Sequence, residues 1–164
     1  MKITLTIGWK EVQQQIDLRN FYMGESAKRK DKDADTIQSS KEDKDLLRMF
    51  MLTACNELVT AVALRFPSIS YTFAKDEEDE EEKIVFEFET ENGHRSHLLP
   101  SLRHTIIDYL VNEIIMQWLL LRCPNMAQAA ISQHGSLYSN VQFMFAKIYN
   151  GNKTRRRATN LAGI

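Results

Sequence analysis

Met1, Ile3, Leu5, Ile7 and Trp9 alternate with polar or small residues at the start of the chain. A period of two predicts a short strand with one buried face. Over residues 10–23 the interval lengthens. Val12 and Ile16 repeat at helical spacing, and Leu18 and Phe21 are assigned to the same face. A helix is expected there, ended by Gly24. Residues 28–40 alternate charges with almost no apolar side chain and read as a charged loop.

A long helix follows. Ser39 with Glu42 three residues on has the form of a capping box, which satisfies orphan amides at a helix start. Leu46, Leu47, Phe50, Ala54, Leu58, Ala61 and Val62 then recur at helical spacing. The Phe66–Pro67 step ends the run, because proline disfavours helical geometry in the residue before it.

Ile69, Tyr71 and Phe73 alternate with polar residues, and so do Ile84, Phe86 and Phe88. The pair reads as a β-hairpin over residues 68–90 with one apolar face. Asn92–Gly93 is a turn signal. Pro100 suits the first position of a second long helix. Leu102, Ile106, Tyr109, Leu110, Ile114, Met116, Trp118, Leu119 and Leu120 make that helix apolar on most sides, so it should be central. Cys123–Pro124 stops it. A third helical stretch covers residues 126–149, with Gly135 as a break and Val141, Met144, Phe145 and Ile148 as its apolar face. The expected fold is mainly α: a helical bundle with an inserted β-hairpin and an extended C-terminal tail. Residues 1–150 form one domain and residues 151–164 a flexible basic tail.

Composition agrees with a soluble domain. Hydrophobic residues are 43% and charged residues 26%, normal for a globular protein. A chain of 164 residues buries roughly 70% of its unfolded surface and needs no disulfide staple. Cys55 and Cys123 both lie in apolar helical stretches and read as reduced thiols in a reducing compartment. No signal peptide is visible at residues 1–9. Residues 105–121 are the most apolar, but Asp108, Asn112, Glu113 and Gln117 interrupt them about once per turn. A membrane span avoids that pattern, so no membrane association is expected.

Charge changes the picture more than composition does. Residues 76–91 carry ten acidic side chains and one basic, Lys83. From Pro124 onward there is no Asp or Glu, while Lys147, Lys153, Arg155, Arg156 and Arg157 are basic. Such blocks are solvated and often meet a partner. Asp76, Glu77, Glu78, Asp79, Glu80, Glu81 and Glu82 repel one another at the hairpin tip, which should be extended and exposed. This run has neither the glycine nor the alternating ligands of a calcium loop. A solvated tip, a dock for a basic partner and a shield against nucleic acid remain open. Lys153, Arg155, Arg156 and Arg157 can neutralise phosphates, dock on an acidic protein surface, or merely keep the tail soluble. No aromatic residue is interleaved with them for base stacking.

Candidate chemistry is sparse. His94, His97 and His104 lie close enough in sequence for two of them to share a metal, but no cysteine joins them. Surface polar residues at a helix start are the simpler account. His134, beside Gly135, reads as a loop residue. There is no nucleophile elbow, phosphate loop or dinucleotide fingerprint. Asp108 and Glu113 are five residues apart, on different helix faces, so they form no general acid–base pair. Pairing of these carboxylates with Arg103 or another helix is expected instead. Neither catalysis nor a cofactor is expected.

The order of elements resembles a known family. Asp45–Leu46–Leu47 opens a long helix containing Ala54, Glu57 and Ala61. After an excursion, Leu99–Pro100–Ser101–Leu102 leads into an apolar helix ending in Trp118, Leu119, Leu120 and Leu121, and a further helix and tail follow. Over about residues 40–150 this resembles the head–tail connector (head-completion or adaptor) proteins of tailed bacteriophages. The resemblance implies a structural virion protein of the neck, assembled in the host cytoplasm. It would form a homo-oligomeric ring between the portal and the tail-side proteins, with DNA passing through the lumen without specific readout. It also gives the charge blocks a use: the acidic hairpin would face the lumen or a neighbour, and Lys153 to Arg157 would dock on the portal. Residues 1–9 and 28–40 are additions to the family pattern, and the hairpin tip is more acidic than that pattern. The alternative is a small helical nucleic-acid-binding or regulatory protein, although no basic recognition helix is evident.

Overall fold

The computed structural model describes residues 1–28, 43–75, 81–90 and 96–149. It is mainly α, with four helices and a three-stranded antiparallel sheet. Strand β1 (Lys2–Gly8) runs directly into helix α1 (Trp9–Lys28). Helix α2 (Lys44–Ala63) leads to strands β2 (Ser70–Lys75) and β3 (Glu82–Glu89). Helices α3 (Leu99–Arg122) and α4 (Gln128–Tyr149) follow, each preceded by a short 3-10 turn.

The alternation along β1 is realised as burial. Ile3, Leu5 and Ile7 point inward, while Lys2, Thr4 and Thr6 face solvent. The expected hairpin forms, but β1 completes it. The strand order is β1-β3-β2, with β3 in the centre. Ile3 faces Phe88, Leu5 faces Phe86 and Ile7 faces Ile84. On the other side of β3, Tyr71 faces Phe86 and Phe73 faces Ile84. These cross-strand pairs make one continuous apolar face, the unit that stabilises a sheet.

Helix α3 is the hub. It buries residues around nearly its whole circumference, including Leu102, Ile106, Ile107, Tyr109, Leu110, Val111, Ile114, Ile115, Trp118 and Leu119. It packs against the other three helices and against β1. Pro100 is its second residue, where the missing amide hydrogen costs nothing. Cys123 caps its far end, donating its amide to the Leu119 carbonyl at 2.7 Å. Arg103 ties the hub to the N-terminal unit: its guanidinium grips the Glu11 carboxylate, and Nε donates to the Thr6 carbonyl at 2.9 Å. A second cluster joins the sheet to the bundle. Phe66, Phe88 and Phe145 meet edge to face, with centroids 5.3 to 5.4 Å apart, and all three are buried.

Several expectations are corrected. Gly24 does not end α1, which continues to Lys28. Gly24 is buried and extends the inward ladder of Val12, Ile16 and Asn20, so packing outweighs its helix penalty of about 1 kcal/mol. Leu18 and Phe21 do not share that face and are 55% and 49% exposed. Leu120 is likewise exposed, whereas Trp118 and Leu119 are core. Gly135 lies inside α4 and breaks nothing. Asp43 precedes α2 without a side-chain cap, and the proposed box residues Ser39 and Glu42 lie outside the described residues, as do Asn92–Gly93 and the tail.

Two stability predictions follow from this packing. Trp118→Ala and Ile114→Ala should each lower unfolding free energy by about 2–5 kcal/mol, because the close-packed hub cannot collapse around the cavity; urea unfolding reads this directly. Gly135→Ala should raise stability by roughly 0.5–1 kcal/mol. An added Cβ there meets nothing within 4 Å. A loss of stability would show that α4 is not continuous at this position.

Candidate interaction surfaces

The hairpin closes on the pair Lys75 and Glu82, so residues 76–81 form its connection. Asp76, Glu77, Glu78, Asp79 and Glu80 lie outside the described residues. Glu81 and Glu82 do not project as expected but are half-buried. Glu82 pairs with Arg48 of α2 at 3.2 Å, and the same guanidinium lies 5.8 Å from the Phe73 ring centroid. The Glu81 carboxylate folds toward Gly8, where a Cβ would come within 2.9 Å of its Oε1. A cleft of about 310 Å³ opens beside them, lined by Trp9, Gln13, Lys44, Asp45, Arg48, Lys75 and Glu82. Its charges are mixed, and it selects neither an anion nor a cation.

The opposite end of the fold is more apolar. There α2 runs out against α4, and Gln142 Nε2 donates to the Ala61 carbonyl at 3.3 Å. A smaller cleft of about 150 Å³ lies between Ala61, Val62, Leu64, Arg65, Gln142 and Phe145, with Leu64 95% exposed. Helix α4 ends at Tyr149 on this side; Lys153, Arg155, Arg156 and Arg157 lie outside the described residues. Between the two ends, Arg48 and Ala61 are 13 residues apart on α2, or about 20 Å at 1.5 Å per residue. The hairpin's closing pair, Lys75 and Glu82, and the C-terminal end of α4 thus occupy opposite ends.

Further exposed apolar side chains escaped the periodicity. Leu18, Phe21 and Tyr22 form a second stripe on α1, and Phe143 carries Lys147 over its ring at 4.3 Å. Helix α2 is the one described helix long and apolar enough to cross a membrane. Its apolar face is nevertheless packed into the core through Leu47, Phe50, Met51, Ala54, Cys55, Leu58 and Val62.

The histidines separate. His94 lies outside the described residues, and His97 is exposed on the turn before α3. His104 sits one turn before Asp108, with Nε2 3.3 Å from Oδ2. Asp108 also accepts from Arg19 of α1 at 3.1 Å, so its cationic partner comes from another helix and not from Arg103. No group of three or more His, Cys, Asp or Glu able to hold a metal occurs among the described residues.

His134 is the largest departure from expectation. It is a helical residue of α4 whose Nδ1 lies 2.7 Å from Oε2 of Glu113, a carboxylate 2% exposed in the middle of α3. Gln117 Nε2 donates to the other oxygen at 3.0 Å. The His134 ring stacks on Tyr138, with centroids 6.1 Å apart, and lies 5.9 Å from the Tyr109 ring. The Tyr109 hydroxyl donates to Glu57 of α2 at 3.3 Å. Burial pushes the Tyr109 phenol far up, reinforced by the charges of Glu113 and Glu57, so it remains a donor at neutral pH. A buried Glu followed by a His 21 residues later carries no local signal, which is why periodicity missed the pair.

Comparison of the chain with protein-family models, with curated proteins and with solved structures gave no match.

The two thiols differ in environment. Cys55 is wholly buried, and desolvation pushes its thiol up to about 12; Cys123 is half-buried at the end of α3. A thiolate-directed reagent at pH 8 should label Cys123 in the native protein and reach Cys55 only on unfolding. Equal labelling of Cys55 in the native state, read by peptide mass spectrometry, would contradict the packing of α2.

Proposed function

We propose that this chain is a structural connector of the phage neck, a ring component between portal and tail that works by assembly and not by catalysis. One observation carries the reading: the base of the hairpin that carries the acidic run, at Lys75 and Glu82, and the C-terminal end of α4, which precedes the basic segment, lie at opposite ends of one bundle. A subunit charged in this way attracts a second copy head to tail, and a head-to-tail contact whose rotation closes makes a ring. The mainly helical bundle with its hairpin accords with the resemblance. Lys153, Arg155, Arg156 and Arg157 are the proposed anchors for a neighbouring subunit or the portal. Asp76 to Glu80 supply the complementary field, with Glu81 and Glu82 fixing the base of the hairpin. DNA would pass through the lumen of such a ring, repelled by its acids and not read.

Light scattering across protein concentration and salt, with negative-stain images of large species, tests this. The full chain should form a closed ring whose mass falls at high salt, where exposed charge pairs are screened. Removal of residues 152–164 should leave the fold intact and abolish the ring. A full chain that stays monomeric both alone and with portal protein would sink the proposal. Affinity for duplex DNA that falls steeply with salt would favour the nucleic-acid-binding alternative.

A further inference from the structure

The two edges of the sheet are managed differently. At β1, Arg103 of α3 reaches in from outside the sheet and donates to the Thr6 carbonyl. At β2, among the described residues, the backbone of Ser70–Lys75 hydrogen-bonds only to β3. Edge strands of folded proteins carry charges, prolines or bulges that discourage a further strand. Strand β2 has no proline and no charge before Lys75, and its register with β3 is unbroken from Ser70 to Lys75. Its apolar face is also incompletely covered. Tyr71 and Phe73 are half-buried, whereas Phe86 and Ile84, which they face on β3, are buried. On α2, Arg48 lies over the Phe73 ring, and Asn56 accepts from the Tyr71 hydroxyl at 2.9 Å. Leu52 is one helical turn from each and faces the same strip, yet it is 39% exposed. The strip is open where a fourth strand would lie.

We propose that this edge pairs with β2 of a second copy, antiparallel about a two-fold axis at Thr72, joining the two three-stranded sheets into one. The strand is self-complementary in that arrangement. Directly opposed residues of an antiparallel pair share a face of the sheet. With Thr72 on the axis, Tyr71 meets the partner's Phe73 on the apolar face, and Thr72 meets the partner's Thr72 on the exposed face. Aromatic pairs and Thr–Thr pairs are favourable cross-strand contacts. Charge selects the same partner and the same direction. Antiparallel pairing puts the two Lys75 ends, after which the acidic residues 76–80 follow in sequence, at opposite ends of the pair. Each acidic run then begins beside the partner's Ser70. Arg65 precedes that end of β2; it is exposed and makes no ion pair among the described residues. A parallel pairing would start the two acidic runs side by side. The two-fold contact is isologous and closes at the dimer. It makes no use of residues 152–164 and does not depend on the connector reading.

Sedimentation of the full chain across concentration at high salt, combined with disulfide trapping, tests the pairing. High salt screens contacts between exposed charges, so a dimer held by backbone hydrogen bonds and aromatic pairs should persist where a charge-driven ring does not. Thr72→Cys should trap a covalent dimer through residue 72 on mild oxidation. Opposed Cα atoms in an antiparallel pair are about 4.5–5.5 Å apart, within disulfide reach. Ser70→Cys should not trap, because in this register the two copies of residue 70 are four positions out of step, about 14 Å along the strands. Peptide mapping separates these links from any made by Cys55 or Cys123. Thr72→Lys sets like charges directly opposite each other and should raise the dimer dissociation constant severalfold. Residue 72 is exposed in the single chain, so the fold should tolerate both substitutions there. A wild-type chain that stays monomeric at every concentration would overturn the proposal, as would equal trapping at residues 70 and 72. A salt-resistant dimer without a ring would support the pairing and count against the connector reading alone.

Discussion

The fold depends on covering one helix. Helix α3 is apolar around almost its full circumference, and no single layer can shield it. Every other element therefore offers it, or the layer around it, one apolar face. Helices α2 and α4 flank it, α1 crosses it beside the Arg103–Glu11 contact, and the sheet closes the remaining side with the face built from Ile3, Leu5, Ile7, Ile84, Phe86 and Phe88. The Phe66, Phe88 and Phe145 cluster is where three of these pieces meet. Edge-to-face contacts of this kind add about 0.5–1.5 kcal/mol per pair beyond their area, and here they also fix how the sheet sits on the bundle.

That hierarchy explains what the sequence made legible. Long periodic runs named α2, α3 and α4, and alternation named all three strands. The failures occur where tertiary packing overrules a local rule. Gly24 and Gly135 are helix breakers by propensity, yet one is packed into the core and the other rides a helix already held by its neighbours. Leu18, Phe21 and Leu120 are apolar by type, but their angular position points them outward. The pairing of β1 with β3 joins residues 75 or more positions apart, as Ile7 with Ile84 shows, and no local pattern announces it. The candidate surface was legible as charge and not as geometry: composition located the acid and the base, but only the fold puts Glu82 against Arg48 and sends α4 out at the other end.

The separation of those ends carries the argument about assembly. Opposite charges close together would neutralise each other within one subunit and leave little to attract a neighbour. Arg48, at the base of the hairpin, and Ala61, where α2 meets α4, are about 20 Å apart, the span of 13 helical residues, which exceeds the screening length of about 8 Å at physiological ionic strength. The spacer between them is α2, whose apolar face is packed against the hub.

The contact between α3 and α4 is specified differently from the rest of the core. Apolar side chains alone tolerate small shifts, since one methyl-lined surface resembles the next. Polar contacts do not. Asn112 Nδ2 donates to the Ala130 carbonyl at 3.1 Å, and one residue further along α3 Glu113 meets His134. Sliding α4 by one turn, about 5.4 Å, breaks both at once and strands a buried amide and a buried carboxylate. These two groups therefore set the register of α4 against the hub. Helix α4 is thereby fixed on the hub by polar groups that each need a partner on the facing helix, and not by apolar packing alone.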